Sequence, residues 1–255
     1  MRRVRIGSVW LDALPFEGVL EAVERLLVSG KGGAVFTPNV DHIVTAESHA
    51  GLREAYAAAD LSVADGQWVV WASRLLGTPL PGKISGSDLL LPLARDAGQR
   101  GRSIYLLGGS PGVAEPAARR LEKEGARICG LESPPIDLSQ PQDELVARIA
   151  AARPDLVLVA LGCPKQELWI HQQRGRLRPA VLIGIGGTLD FLAGRIRRAP
   201  PWVSRAGLEW AFRLILEPRR LARRYLVKDP QFLGILLSSL REPVELRVQE
   251  KPKTV

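Results

Sequence analysis

The sequence predicts an α/β fold, a Rossmann-like and mostly parallel sheet with helices on both faces, followed by a C-terminal helical appendage. Three observations predict it. Over the first 190 or so residues, short apolar runs of strand length alternate with amphipathic stretches of helical length, the pattern of repeated βα units. The residues just after the apolar runs are glycines or small polar residues, as at the carboxyl ends of strands in an open sheet. Near Arg195 the composition changes to arginine, tryptophan and leucine, punctuated by Pro200-Pro201, Pro218 and Asp229-Pro230.

Taken in order, the apolar runs place strands at 34–36, 61–64, 103–107, 126–129, 156–161 and 181–185. Between them the apolar spacing predicts helices at 16–27, 40–58, 67–76, 88–100, 113–124, 142–152 and 165–174. Asp88 after Gly86-Ser87, and Pro111-Gly112 after the run at 103–107, are helix-opening signals. The division that follows is an α/β domain over 1–194 and a basic helical appendage over 195–255. The stretch from Glu242 to Val255, polar and carrying two prolines, is expected to fray.

Composition excludes several classes. The 255 residues are 46% hydrophobic and 24% charged, a globular balance, and no run approaches the length of a membrane-spanning helix. Cys129 and Cys163 form no CxxC, so neither a zinc site nor a disulfide framework is expected. Asp12, Pro15 and Glu17 interrupt the N-terminal apolar stretch, which argues against a signal peptide and for the cytoplasm.

The net charge of +8 is local. Between Arg195 and Lys228 ten basic residues face two acids, Glu209 and Glu217, and the rest of the chain is balanced. Trp202, Trp210, Phe212, Leu216 and Tyr225 interleave with those arginines, a pattern suited to an anionic membrane interface. It would equally suit nucleic-acid phosphates, or an ordinary solvated helix with a buried stripe.

Ligand chemistry is expected at the strand ends: Thr37-Pro38-Asn39, Asp65-Gly66, Gly108-Gly109-Ser110, Gly162-Cys163-Pro164-Lys165-Gln166 and Gly186-Gly187-Thr188-Leu189-Asp190. Glycines there allow close backbone approach, and helix N-termini can hold phosphate. No GxGxxG or GxxxxGK[ST] occurs, so dinucleotide and P-loop sites are poorly supported. Asp65, a carboxylate directly after an apolar run, is the candidate general base, with helix capping the competing role; Asp190 carries the same ambiguity. His42, His49 and His171 fall in helices, where surface or core roles are expected. No Asp-x-Asp is present to hold a divalent metal.

These segments, with Ala64–Trp71, Gly77–Pro81, Ser85–Asp88, Gly184–Phe191, Arg197–Pro200, Gly207–Trp210 and Glu217–Arg220, resemble the WecG/TagA/CpsF glycosyltransferase family in order along nearly the whole chain. The resemblance implies an inverting, metal-independent transfer of N-acetylmannosamine. The sugar moves from its UDP donor to undecaprenyl-diphosphate-linked N-acetylglucosamine, a β-1,4 linkage used in wall teichoic acid. It implies Asp65 as the base, Thr37 and Asn39 in the donor pocket, and Gln166 on the sugar or its phosphates. Asp190 is implied near the nucleotide, and Gly108, Gly109, Gly162 and Gly186 among the binding loops. Arg213, Arg220 and Arg223 would close over the active site and meet diphosphate charge, with Arg219, Arg224, Trp202 and Trp210 toward the acceptor and membrane. No cofactor or metal is implied, because the UDP-sugar is a substrate. The expected partners are that donor, the polyprenyl-diphosphate acceptor, an anionic membrane surface on the cytoplasmic side and a sister subunit, but not nucleic acid. A uronic-acid or hexose donor is the alternative within the same fold, and a nucleic-acid module built on the basic stretch is the remote one.

Overall fold

The computed structural model describes residues 1–197 and 199–251; Arg198, part of the basic stretch and of the family resemblance, and the terminal 252–255 lie outside the described residues. The strands are β1 (Arg2–Ile6), β2 (Val9–Asp12), β3 (Gly33–Phe36), β4 (Leu61–Ser62), β5 (Ser103–Gly108), β6 (Arg127–Glu132), β7 (Leu156–Ala160), β8 (Val181–Gly184) and β9 (Val248–Glu250). Six of them form one parallel sheet in the order β4-β3-β8-β7-β5-β6. The other three form a small antiparallel sheet, β2-β1-β9.

Helices α1 (Phe16–Ser29), α2 (Val40–Ser48), α3 (Ala50–Ala57), α4 (Gln67–Leu75), α5 (Gly86–Gln99), α6 (Ala114–Glu122), α7 (Asp143–Ala151), α8 (Lys165–Gln173) and α9 (Thr188–Leu192) accompany the parallel sheet. The strands are buried on both faces because successive residues feed two cores. Phe36, Val157, Val159 and Leu182 pack with α2, α3, α7, α8 and the β1–β2 hairpin. Val35, Leu156, Leu158, Val181 and Ile183 pack with α1, α5 and α6. Each large side chain so buried stabilises the fold by about 1.5–3 kcal/mol. In α1, Val19, Ala22, Val23 and Leu26 recur at helical spacing on the buried stripe, and Gly30 ends the helix at φ 65°.

Four expectations need correction. The stretch 40–58 is two helices, because His49 is extended and its Nδ1 accepts from Leu52 N at 3.2 Å, capping α3. The strand at 61–64 pairs only over Leu61–Ser62 before the chain turns into the Asp65 loop. The β1–β2 hairpin was not foreseen, although Val4, Ile6, Val9 and Leu11 alternate around a two-residue Gly7-Ser8 turn and are fully buried. The terminal stretch does not fray through its described length: Val248–Glu250 adds to the open edge of β1, and the Arg247 guanidinium donates to Ser239 O at 2.9 Å.

Beyond α9 the chain forms α10 (Pro201–Arg205), α11 (Glu209–Leu216) and α12 (Pro218–Arg223), then a π-helical turn (Arg224–Lys228) and a 3₁₀ turn (Asp229–Gln231). Helix α13 (Phe232–Leu240) and a 3₁₀ turn (Val244–Arg247) lead into β9. Proline opens α10 and α12, where its missing N–H costs nothing. This segment returns to the body at two places. Phe232 joins the core beside α2, and the Trp68 indole of α4 donates to Gly207 O at 3.0 Å. Gly207 is required there, since a Cβ would lie 2.5 Å from the Trp71 ring.

Candidate active site

Parallel pairing brings the carboxyl ends of β4, β3, β8, β7 and β5 into one row, so the strand-end segments foreseen in the sequence are neighbours. The Asp65 and Asn39 loops are adjacent and tied together, with Asp65 N donating to Pro38 O at 2.9 Å. Gly108, at φ 93°, lets its loop pass β7 closely; a Cβ there would sit 2.6 Å from Ala160 O.

A cavity of about 350 Å³ opens at the Asp65 end of the row. Asn39, Asp65, Gly66, Gln67 and Trp68 line it from the sheet side, and Glu209, Trp210, Arg213, Arg224, Tyr225 and Asp229 from the C-terminal segment. Asp65 does not cap α4: the N-cap position is Gly66, and no side chain of the described residues bonds the helix end. Its carboxylate has no hydrogen-bond partner among the described residues. Burial and then the negative charge of Glu209 push its pKa up to about 6, against the opposing pull of Lys83. A half-buried, unpartnered carboxylate with raised basicity is the chemistry a general base needs.

Asp229 is a second half-buried carboxylate with a raised pKa, its Oδ2 4.0 Å from Arg224 Nε and its Oδ1 buried and unbonded among the described residues. Burial lifts it to about 6, Arg224 opposes the rise and Asp41 adds to it. Arg213 supplies positive charge without a carboxylate partner among the described residues: it stacks over the Phe191 ring at 5.5 Å, and its Nε is buried and unbonded. Trp210 and Tyr225 meet edge to face at 6.1 Å on the same wall.

Asn39 joins the two sides. Its Oδ1 caps α2 through His42 N at 3.4 Å, meets His42 Nδ1 at 2.7 Å and accepts from Arg224 Nη2 at 3.1 Å. Next to it Lys228 Nζ lies 2.6 Å from Asp41 Oδ1 and donates to Thr45 Oγ1 at 2.6 Å. Behind His42, its Nε2 lies 3.5 Å from Glu167 Oε1, which accepts from Gln166 Nε2 at 2.7 Å; Gln166 Oε1 accepts from Gly186 N at 2.9 Å. Asp41, His42 and Cys163 bring atoms able to hold a metal within 4.8 Å of one another, but the first two are engaged by Lys228, Arg224, Asn39 and Glu167.

The structure therefore gathers Asp65, Asn39, Arg213, Arg224 and Trp210 around one cavity. Thr37 lies buried beside them, its hydroxyl 3.5 Å from Gly184 O. Gln166 spends both ends of its amide on holding Glu167 and the loop after β8, and Asp190 is buried at the start of α9. Gly109, Gly162 and Gly186 take positive φ in the neighbouring strand-end loops. Arg219, Arg220 and Arg223 are exposed and do not line the cavity; Arg220 pairs with Glu217 at 2.6 Å. Trp202 is 68% exposed. Sequence reasoning passed over Trp68, Glu209, Tyr225, Asp229, His42 and Glu167 as site residues. For Trp68 and Glu209 the available signal was position, beside Asp65 and among the arginines.

The model of the glycosyl transferase WecG/TagA/CpsF family matches residues 4–245. The chain is also 32% identical over 217 residues, 84% of its own length and 82% of the relative's, to an N-acetylglucosaminyldiphosphoundecaprenol N-acetyl-beta-D-mannosaminyltransferase of Bacillus spizizenii. A match spanning both the parallel sheet and the C-terminal segment covers every residue of the cavity. The chain belongs to the WecG/TagA/CpsF family and is a glycosyltransferase.

Proposed function

We propose that this enzyme transfers N-acetylmannosamine from UDP-N-acetylmannosamine to N-acetylglucosamine carried on undecaprenyl diphosphate, with inversion and without a metal ion. The observation that carries the reading is the pairing, in one cavity, of the Asp65 carboxylate raised to about 6 with the uncompensated cation Arg213. It is supported by similarity to a relative whose name states that transfer.

In this mechanism the Asp65 carboxylate takes the proton of the acceptor C4 hydroxyl as its oxygen attacks C1 of the donor sugar. The bond from C1 to the UDP oxygen breaks on the opposite face, and its electron pair leaves with UDP. Direct displacement inverts C1 and produces a β linkage. The departing diphosphate gains charge in the transition state, and Arg213 is placed to stabilise it. Thr37 and Asn39, in the loop after β3, and Gln166 and Asp190, in the first turns of α8 and α9, lie at the strand ends that would hold the donor. UDP release measured with a soluble lipid-diphosphate N-acetylglucosamine analogue, chelator present, tests the reading across a panel of UDP-sugars. Turnover is expected with UDP-N-acetylmannosamine. Turnover only with its uronic acid or a hexose replaces the donor, and silence with every donor overturns the reading.

The acceptor is a lipid, and the C-terminal segment has the surface to meet it. Ile215 is 79% exposed, Leu226 60%, Val227 62%, Leu233 61% and Leu237 61%, in company with Arg219, Arg220 and Arg223. Among the described residues no helix is long and apolar enough to cross a membrane. Peripheral binding through inserted apolar side chains and arginines at headgroups follows. Sedimentation with vesicles containing phosphatidylglycerol should show binding that weakens with salt, at about 1 kcal/mol per arginine near the surface. Ile215→Glu should weaken it further, and equal binding to neutral vesicles at high salt would remove the electrostatic part.

A further inference from the structure

Asn39 carries a choice that its neighbours settle. A carboxamide can present either its oxygen or its NH₂ group to the cavity, and the two ends are opposite in hydrogen-bonding sense. Here the oxygen is claimed from within the protein, by the His42 ring at 2.7 Å, by Arg224 at 3.1 Å and, more loosely, by the His42 backbone N–H at 3.4 Å. The NH₂ group has no partner among the described residues, and Asn39 is part of the cavity wall.

What holds His42 in that role is a buried chain of hydrogen bonds running along three strand ends. Gly186 N donates to Gln166, Gln166 donates to Glu167 Oε1, and Glu167 Oε1 faces His42 Nε2. Glu167 is 1% exposed, and its Oε2 is buried and unbonded, so its charge is felt strongly by the imidazole. The mechanism above gives neither His42 nor Glu167 a task.

We propose that His42, backed by Glu167, is a positioning residue that turns the Asn39 oxygen toward itself and Arg224 and leaves the Asn39 NH₂ to donate to an oxygen of the sugar nucleotide. The inference rests on the UDP-sugar reading of the site and adds to it a residue pair that sets the polarity of one contact. An imidazolium has only donors to offer, so it can face the carboxamide only through the oxygen. A neutral ring with Nδ1 as acceptor can face the NH₂ instead, or take the Asn39 N–H, 3.3 Å away. The ring's hold on the oxygen is then lost, and only the α2 cap from His42 N at 3.4 Å and the Arg224 bond at 3.1 Å still oppose reversal of the amide.

The charge state follows from what faces the ring. Burial opposes protonation, while Cys163 and then Glu167 favour it, and the balance raises the His42 pKa well above its ordinary value. Asp41 on the same helix, Asp65 across the loop and Asp229 on the C-terminal segment add negative charge, and Arg224 and Lys228 add positive charge next to Asp41. The imidazolium is thus favoured beyond its ordinary range and lost as pH rises through the raised value; with Nε2 facing the Glu167 carboxylate at 3.5 Å, the remaining proton stays on Nε2 and Nδ1 no longer donates to Asn39.

Two measurements test this. In calorimetric titration with UDP-N-acetylmannosamine, His42→Ala and Asn39→Ala should each weaken binding about tenfold, the scale of one hydrogen bond, and the double variant should be no weaker than Asn39→Ala alone. Additive losses, or unchanged affinity in His42→Ala while the wild type binds normally, overturn the positioning role. Second, NMR titration of the ring, read among only three histidines, should give a lower pKa in Glu167→Gln, with the alkaline limb of donor affinity moving down by the same amount. Glutamine at 167 still accepts from Gln166, so the fold should persist; a purely structural role would weaken binding without moving that limb, and a fixed limb overturns the proposal. A wild-type protein that binds no UDP-sugar would instead defeat the functional reading itself, and with it the substrate half of this one, while the ring titration still reports on the pair.

Discussion

Asp65→Asn should lower the rate of sugar transfer by about 10²–10⁴-fold, the usual span for losing a general base, and should make the protein more stable. The two effects have one cause. Burial and Glu209 raise the Asp65 pKa to about 6, so the ionised carboxylate is worse off in the folded protein than in the unfolded chain. A group whose folded pKa is raised in this direction destabilises the fold once pH exceeds the unfolded value, near 3.8, with the full cost reached above 6. Allowing for the partial exposure of the group, the cost is on the order of 1–2 kcal/mol, and asparagine removes it. In a chain of this size that is a rise of a few degrees in melting temperature.

The acid limb of kcat/KM provides the second arm. It should fall as pH drops through about 6, the pH at which the base becomes protonated. Asp229 has its own pKa near 6 in the same cavity, so the limb alone does not name the base. Asp229→Asn resolves it: the assignment to Asp65 holds if that variant keeps turnover and the limb. It fails if Asp229→Asn loses both while Asp65→Asn stays active.

Much of this site could be read from the chain because its residues sit where topology puts them. A parallel sheet aligns every strand end on one edge, so Asn39, Asp65, Gly108, Gln166 and Gly186 could be grouped from apolar runs and the residues that follow them. The hairpin Arg2–Asp12 escaped because its alternation is short and lies in a basic N-terminus. Its partner Val248–Glu250 escaped because a polar edge strand with two nearby prolines looks like a frayed end until the edge of β1 is present to receive it. The split of 40–58 at His49 turned on one side-chain cap, which helical periodicity does not register. The same holds at the site. Asp229 and Glu209 gain their meaning only when the C-terminal segment folds back over Asp65, and the Asn39–His42–Glu167 chain depends on contacts between segments some 125 residues apart. The arginines illustrate the limit most clearly: ten basic residues could be counted between 195 and 228, but which of them faces the cavity depends on helix phase and on the turn at Gly207.

That distinction makes Arg213 the second residue whose replacement should matter greatly. Arg213→Ala should reduce turnover about 10²–10³-fold, the effect of deleting a preorganised donor to developing charge, and should weaken inhibition by the product UDP. Its guanidinium lies over Phe191, and its Nε is buried without a bond, so a half-exposed cation with one unsatisfied donor is already in place before any diphosphate arrives. The unbonded Nε costs the fold roughly what the stacking on Phe191 returns, and for that reason truncation should change the melting temperature little. Loss of activity at unchanged or higher stability separates a role in chemistry from a role in folding. Arg213→Lys should recover only part of the rate, since an ammonium keeps the charge but not the paired N–H fork that matches phosphate. Arg220 and Arg223 should behave differently. Both are exposed and outside the cavity wall, with Arg220 paired to Glu217, and under the proposed function they would meet the acceptor's diphosphate or the membrane. Their alanine variants should raise the KM for lipid-linked acceptor on anionic vesicles and leave UDP inhibition unchanged. If Arg213→Ala stays within about twofold of wild type while Arg220→Ala abolishes turnover with a short soluble acceptor, then the charge that stabilises departing UDP comes from Arg220. The C-terminal segment would in that case have to close further over Asp65 during the reaction.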